Sequence, residues 1–208
     1  DLAAAVILAA GEGRRMGGVA KALLRIDGEP LVSRLLTALN GAGIPDVLVV
    51  AGTHHEAIAS VVQPLGARVV RNPSPQDGQQ LSVRLGLESA PLSADALVMV
   101  LCDQPLVDAA DIQELLAAFK AHPEHDFCVP VVNGQRGNPV VVSRHAVTQI
   151  LAMDRSVASR GFMQQHPKTV WHHVTTNDHF ITDLDTMADR DALTVRTGWT
   201  VELPRGSS

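Results

Sequence analysis

Long hydrophobic runs, paired cysteines and any excess of positive charge are all missing from this chain of 208 residues. Its longest apolar stretches, such as Ala96 to Cys102, have the length of a buried strand. They fall well short of the ~20 residues a membrane helix needs, so no membrane span is expected. Cys102 and Cys128 share no C-x-x-C spacing, and each sits in an apolar strand-like run. Buried free thiols are therefore expected rather than a disulfide or metal pair, which fits a reducing, cytoplasmic setting. The formal net charge of −5 and a pI near 6.0 argue against a nucleic-acid partner, whose phosphates call for a basic surface. Any affinity for anions must be local. The N-terminus carries no basic-then-apolar leader, so no signal peptide is expected. Among the histidines, His54-His55 and His172-His173 are adjacent pairs that point apart, and His122-x-x-His125 lacks partners at a zinc-site spacing. Trp171 and Trp199 are expected in the core or an interface rather than as platforms for stacking bases.

What remains is the composition of an ordinary globular protein, 46% hydrophobic and 19% charged. Its length suits one α/β domain. Apolar strand candidates at Ala4–Ala9, Val47–Ala51, Ala67–Arg71, Ala96–Leu101, Phe127–Val132, Val140–Ser143 and Val170–Val174 alternate with helical patterns. The helices are expected at Pro30–Asn40, Glu56–Val62, Gln80–Ser89, Ala109–Lys120, His145–Met153 and Arg155–Gln165. Asp108 and Ser143 suit N-caps and Gly41 a helix stop. Strand-helix alternation of this kind implies a single Rossmann-like α/β domain over residues 1–200, its mostly parallel sheet covered by helices on both faces. Residues 201–208 read as a tail that need not be ordered.

The stretch from Val6 to Lys21, VILAAGEGRRMGGVAK, carries the strongest chemical signal. An apolar strand breaks there into a loop whose Gly11 and Gly13 leave backbone N–H groups open to an anion, while Arg14, Arg15 and Lys21 add cationic donors. It is not a Walker loop, because Val19-Ala20 follows Gly18 where Lys-Ser/Thr should stand. It is not a dinucleotide fingerprint either, because Met16 replaces the third glycine and Ala51-Gly52-Thr53 supplies no acidic residue after the second strand. In an open parallel sheet, ligands gather at the carboxyl ends of the strands. Gly11 to Lys21 follows the first strand, Asn72 to Ser82 the third and Asp103 the fourth, so these segments should converge on one crevice.

Leu8-Ala9-Ala10-Gly11, Arg15-Met16-Gly17 and Lys21 resemble the signature of the MobA-like nucleotidyltransferases, most closely the molybdenum cofactor cytidylyltransferases. Asn72 with Gly78-Gln79-Gln80-Leu81-Ser82, then Leu101-Cys102-Asp103-Gln104-Pro105-Leu106, Arg136-Gly137-Asn138-Pro139-Val140 and Asp183-Leu184-Asp185-Thr186 are similar to later segments of that family in the same order. The resemblance implies transfer of a nucleoside monophosphate from CTP to molybdopterin, with release of pyrophosphate and dependence on Mg²⁺. It implies nucleotide binding by Leu8, Ala9, Ala10, Gly11, Arg15, Lys21, Asn72, Gly78 and Ser82. Catalysis would fall to Arg15, Lys21 and Asp103, with Asp103 and Asp185 as metal ligands and Asp183 as the rival to Asp185. Arg136, Gly137, Asn138 and Pro139 would face the acceptor, and a molybdoenzyme or its chaperone would be a partner. The spacing of Met16 and Lys21 is closer to the guanylyltransferase branch, while Ala9-Ala10-Gly11 is closer to the cytidylyltransferases. A sugar-phosphate nucleotidyltransferase and a non-catalytic cofactor-binding chaperone stand as alternatives. The retention of Lys21, Asp103 and Asp185 together argues against the chaperone.

The residues themselves suit this chemistry. An aspartate ending an apolar strand needs a partner, and beside a phosphate loop a divalent cation is a fitting one. A phosphate nucleophile is already ionised at neutral pH, so no histidine base or serine nucleophile is needed. Alignment and electrostatics carry the catalysis.

Overall fold

The computed structural model describes residues 2–11, 16 and 18–204. The chain begins with β1 (Ala3–Ala9), a small hairpin of β2 (Arg25–Ile26) and β3 (Glu29–Pro30), and α1 (Leu31–Gly41). It continues through β4 (Val47–Ala51), α2 (His55–Val62), β5 (Arg68–Arg71), α3 (Gln79–Ser89), β6 (Ala96–Leu101) and α4 (Ala109–Ala121). The second half holds β7 (Phe127–Val132), β8 (Gln135–Arg136), β9 (Val140–Ser143), α5 (Arg144–Leu151), α6 (Ser159–Gln165) and β10 (Val170–Val174). The chain closes with α7 (Met187–Thr197) and β11 (Val201–Glu202).

The main sheet has the order β10-β7-β9-β6-β1-β4-β5, with β8 paired to β7. β1 lies between β4 and β6 and is parallel to both. It is buried on both faces, which is why it reads as an unbroken apolar run. Its alternate side chains feed two different cores. Ala5, Ile7 and Ala9 pack with α1, α2 and α4, through residues such as Leu35, Ile58 and Leu115. Ala4, Val6 and Leu8 pack with α3, α5 and α6, through Leu87, Ile150 and Phe162. β9 breaks the parallel pattern, running antiparallel to β6 and β7.

The seven expected strands and six expected helices are present, with local differences. α5 stops at Leu151 rather than Met153, and α6 starts at Ser159 rather than Arg155. Between them Asp154 Oδ1 accepts from the backbone N–H and hydroxyl of Ser156 at 2.8 and 2.7 Å, a local turn that competes with helix. Asp108 caps α4 as expected, in a reciprocal box with Asp111, and the Ser143 hydroxyl caps α5. Gly41 is the last residue of α1 rather than the stop beyond it; the left-handed residue is Gly43, at φ +88°. Cys102 and Cys128 are buried free thiols. Trp171 stacks on His122 with ring centroids 3.4 Å apart, and Trp199 lies under the Arg34 guanidinium at 4.5 Å.

Four features have no counterpart in the sequence reading. Asp27-Gly28 and Asn133-Gly134, both in the positive-φ region, turn the β2–β3 and β7–β8 hairpins. α7 is capped by a box between Thr186 and Asp189. A three-stranded sheet of β11, β2 and β3 packs through Ile26 and Val201 with Leu106 and Leu184. Val201 is buried and pairs with Ile26, so residues 201–208 begin with a strand. Among the described residues no helix is long and apolar enough to cross a membrane.

α3 approaches β1 through Gly86, where an added Cβ would come within 2.6 Å of Val6 Cγ1. Gly86→Val should lower stability by about 1–3 kcal/mol, the usual cost of overpacking a filled core. Urea unfolding of parent and variant measures it, with an unchanged midpoint as the contrary result.

Candidate active site

β1 releases the chain at Ala10, which is buried, and Gly11, which is exposed. Beside it, Gly52 follows β4, and an added Cβ there would lie 2.9 Å from both the Ala10 carbonyl and Pro75 Cβ. Only glycine lets these three segments meet. Asn72 is fully buried at the end of β5, and its backbone N–H donates to the Ala51 carbonyl at 2.7 Å. Its side chain donates to the Ser82 hydroxyl at 2.8 Å and accepts from the Ser74 N–H at 2.8 Å. Asn72 thereby fastens the first turn of α3 to the sheet. Gly78, at φ +110°, turns the chain into that helix. Ala10, Gly11, Pro75, Gly78 and Ser82 together line a pocket of about 100 Å³.

A larger cavity of about 310 Å³ adjoins it, sharing Leu8 and Gln79 with the small one. Arg136, Gly137 and Asn138 line this cavity; Pro139 is buried behind them. Gly137 presses against the Phe180 carbonyl, where no Cβ could fit, and the same carbonyl accepts from the Asn138 N–H at 3.0 Å.

One strand over, the Cys102 N–H donates to the Leu8 carbonyl at 3.2 Å, which places Asp103 beside the exit of β1. Lys21 Nζ lies 2.7 Å from Asp185 Oδ1 and 3.9 Å from Asp103 Oδ2. The Asp103 carbonyl accepts from the Leu184 N–H at 2.8 Å, holding the 184–185 backbone in place. Burial alone would lower the Lys21 ammonium, but the Asp185 hydrogen bond and the two carboxylate charges outweigh it and raise its pKa. Burial pushes the Asp103 carboxyl up to about 7, helped by contact with Asp185 and the charge of Asp183, against the pull of Lys21. Asp103 Oδ1 is buried with no hydrogen-bond partner among the described residues. A carboxylate so short of compensation is the environment a divalent cation would relieve, so the residues fit one. Asp103 and Asp185 would hold it; Asp183 is the more exposed of the two candidates near the C-terminus. Bound there, a cation would add positive charge where a triphosphate loses pyrophosphate.

A second acidic group, Asp108, Asp111 and His179, has ligand atoms within 4.8 Å of one another. Its hydrogen bonds already explain it, since Asp111 completes the α4 cap and accepts from Asn177 Nδ2 at 2.6 Å. Arg15, together with Glu12, Gly13, Arg14 and Gly17, lies outside the described residues. Gln104 is a site residue that the sequence reading missed: fully buried after Asp103, it donates to the Phe180 carbonyl at 2.9 Å. Asp189 is another, accepting from the N–H groups of Asp185 and Thr186 at 2.9 Å each. Its signal was present as Thr186-x-x-Asp189, a capping-box spacing.

A glycine-opened strand end, a half-buried aspartate and a lysine between two carboxylates meet at the carboxyl ends of a Rossmann-like sheet, the arrangement of a nucleotidyltransferase-type domain. Residues 5–170 match the model of the MobA-like NTP transferase domain, and the chain belongs to that family. Among curated proteins it is 28% identical over 154 residues to the bifunctional protein GlmU of Maricaulis maris, covering 74% of this chain and 33% of that protein. It is 38% identical over 135 residues to GlmU of Rhizorhabdus wittichii, covering 64% and 29%. The chain thus spans about a third of the length of these curated relatives. The fold is shared with a nucleotidyl transferase from Methanothermobacter thermautotrophicus, at TM-score 0.75 and 19% identity over 94% of this chain and 97% of that one. It is shared too with Rv0371c of Mycobacterium tuberculosis, at TM-score 0.74 and 22% identity over 92% and 97%.

The Asp103 carboxyl sets a pH test. With its pKa near 7 in the folded chain, against 3.8 in the unfolded one, the folded state holds the extra proton between those values. Raising the pH through that window without a divalent cation therefore removes stability. The parent in EDTA should be less stable to urea at pH 8 than at pH 5, by a margin that shrinks in Asp103→Asn. Asp183 shifts in the same direction in both proteins and cancels in the comparison. An equal margin in the two would show that Asp103 is compensated within the chain.

Proposed function

We propose that the chain transfers CMP from CTP to molybdopterin, releasing pyrophosphate, with Mg²⁺ held by Asp103 and Asp185. The observation that carries the reading is the Lys21–Asp185–Asp103 group at the exit of β1 and β6, with a small pocket and a larger cavity alongside it. In this reading Leu8 to Gly11, Asn72, Gly78 and Ser82 hold the nucleotide. Arg15 and Lys21 stabilise the charge that develops on the α-phosphate and the leaving pyrophosphate. The acceptor's phosphate is the nucleophile, and Arg136 to Pro139 orient it for in-line attack. CMP–molybdopterin passes on to a molybdoenzyme or its chaperone in the cytoplasm. The two buried thiols suit a reducing compartment.

A pyrimidine is favoured by the tightness of the small pocket, where the Ala10 methyl takes room that glycine would leave. The second reading, a sugar-phosphate nucleotidyltransferase, draws on the similarity to the GlmU proteins.

Pyrophosphate release, measured with each of the four NTPs alone, with molybdopterin and with a hexose 1-phosphate, separates these readings. Turnover with CTP and molybdopterin is expected; turnover with the sugar phosphate alone selects the second. Lys21→Ala should lower kcat by about 10²-fold or more while the protein stays folded, as when one preorganised donor to developing charge is removed. Full activity in that variant would make Lys21 a merely structural partner of Asp185. Ala10→Gly should raise kcat/KM for GTP relative to CTP, within the about 1–3 kcal/mol that one methyl contributes to discrimination. An unmoved ratio would detach base selection from this position.

A further inference from the structure

Arg84 is 3% exposed in the middle of α3, where its Nε pairs with the Glu88 carboxylate at 3.6 Å. Burying a guanidinium is costly unless its N–H groups are bonded. Here backbone carbonyls do that work. Nη1 donates to Ile150, Asp154 and Val157 at 3.2, 2.8 and 2.9 Å, and Nη2 to Leu151 and Met153 at 3.0 Å each. All five acceptors lie in the end of α5 and its connection to α6. One side chain thus satisfies carbonyls that a helix end leaves open and sets the place where α6 begins.

That place matters because Ser159, Arg160 and Met163 form one wall of the 310 Å³ cavity, with Gln79 and Val83 of α3 also lining it. Met163 Sδ accepts from Arg136 Nη2 at 3.4 Å, which joins the α6 wall to the Arg136–Asn138 segment. The Ser159 hydroxyl is buried without a partner among the described residues. Leu8, Met99 and Val129 give the cavity an aliphatic floor, while Arg136 and Arg160 are exposed at its sides. This composition suits a ligand with an apolar body and an anionic group.

We propose that Arg84 is a positioning residue for acceptor selection, holding α6 so that Arg160 and Met163 meet the acceptor's body in this cavity. The proposal rests on reading the cavity as the acceptor site. Arg84→Lys keeps the charge but cannot reach five carbonyls, and Arg160→Gln removes an exposed guanidinium on which the fold does not depend. Both should raise KM for the acceptor that supports turnover, molybdopterin or the hexose 1-phosphate, by about ten-fold, as expected for loss of a charged hydrogen bond or its alignment. KM for CTP should stay unchanged, because Asn72 and Ser82 hold the nucleotide end of α3 independently of Arg84. Equilibrium binding of 8-anilinonaphthalene-1-sulfonate, apolar rings with one sulfonate, gives a readout without turnover. Its fluorescence should saturate with the parent and weaken about ten-fold in both variants. Should no acceptor support pyrophosphate release while this probe discriminates the variants, the functional reading fails and the role of Arg84 in shaping the cavity stands. Equal probe binding by all three proteins, no binding by the parent, or equal loss of affinity for CTP and acceptor would overturn the proposal and leave Arg84 a brace for the fold alone. An Arg84→Lys chain that does not fold hands the decision to Arg160→Gln.

Discussion

Lys21 and Asp185 stand 164 residues apart in sequence and 2.7 Å apart in space, and the functional end of the molecule depends on that ion pair. It joins the segment leaving β1 to the segment entering α7, over the carboxyl end of β6 where Asp103 emerges. The same C-terminal segment is tied again through the Leu184 N–H on the Asp103 carbonyl and through Phe180, whose carbonyl accepts from Gln104 and Asn138. A single stretch from Phe180 to Asp185 therefore crosses from the Arg136–Asn138 segment to the lysine. Its backbone is fixed at one end by a buried glutamine and at the other by the Asp189 carboxylate. The third hydrophobic cluster, with Leu24, Ile26, Leu184, Leu193 and Val201, packs this crossing against the small sheet. The lysine's charge does not fully compensate Asp103, and that shortfall makes the site receptive to a cation.

α3 faces two demands at once. Its Ser82 and Gly86 lie against Asn72 and β1, so this face must be small to let the helix sit close to the sheet. A different face carries Arg84 into the α5–α6 connection. The wall of the small pocket at Gly78 and Ser82 and part of the wall of the larger cavity are thus built on one rigid element. A helix with an ordinary leucine face would have been held farther from β1 and could not have brought Gly78 and Ala10 to the same pocket.

The strands were legible because their signal is local: a central parallel strand is apolar on both faces, and β1, β4 and β6 are. The caps at Asp108 and Ser143 were legible for the same reason. α3 was found in place, yet its apolar pattern misleads. Leu81, Val83 and Leu85 are only partly buried, while Ser82, Arg84 and Gly86 are buried, because close approach and backbone hydrogen bonds decided that face rather than hydrophobicity. The break between α5 and α6 was legible at Asp154, but its length was not, because the Arg84 guanidinium that bonds the carbonyls there sits some seventy residues away. The hairpins at Asp27-Gly28 and Asn133-Gly134 carried a readable turn signal, but strands of two residues show no periodicity to confirm it.

By itself the sequence determined the alternating α/β order, the glycine-opened exit of β1 and the presence of Lys21 and Asp103 as chemically apt residues, since each follows from local composition and spacing; Asp185 entered only through the family resemblance. Only the tertiary structure decided that Lys21 bridges the two aspartates, that Gln104 and Asp189 hold their backbone, and that α6 walls the cavity beside Arg136. These are distances between segments far apart in the chain. They are set by which strands pair and how closely helices approach the sheet, and no local pattern encodes them.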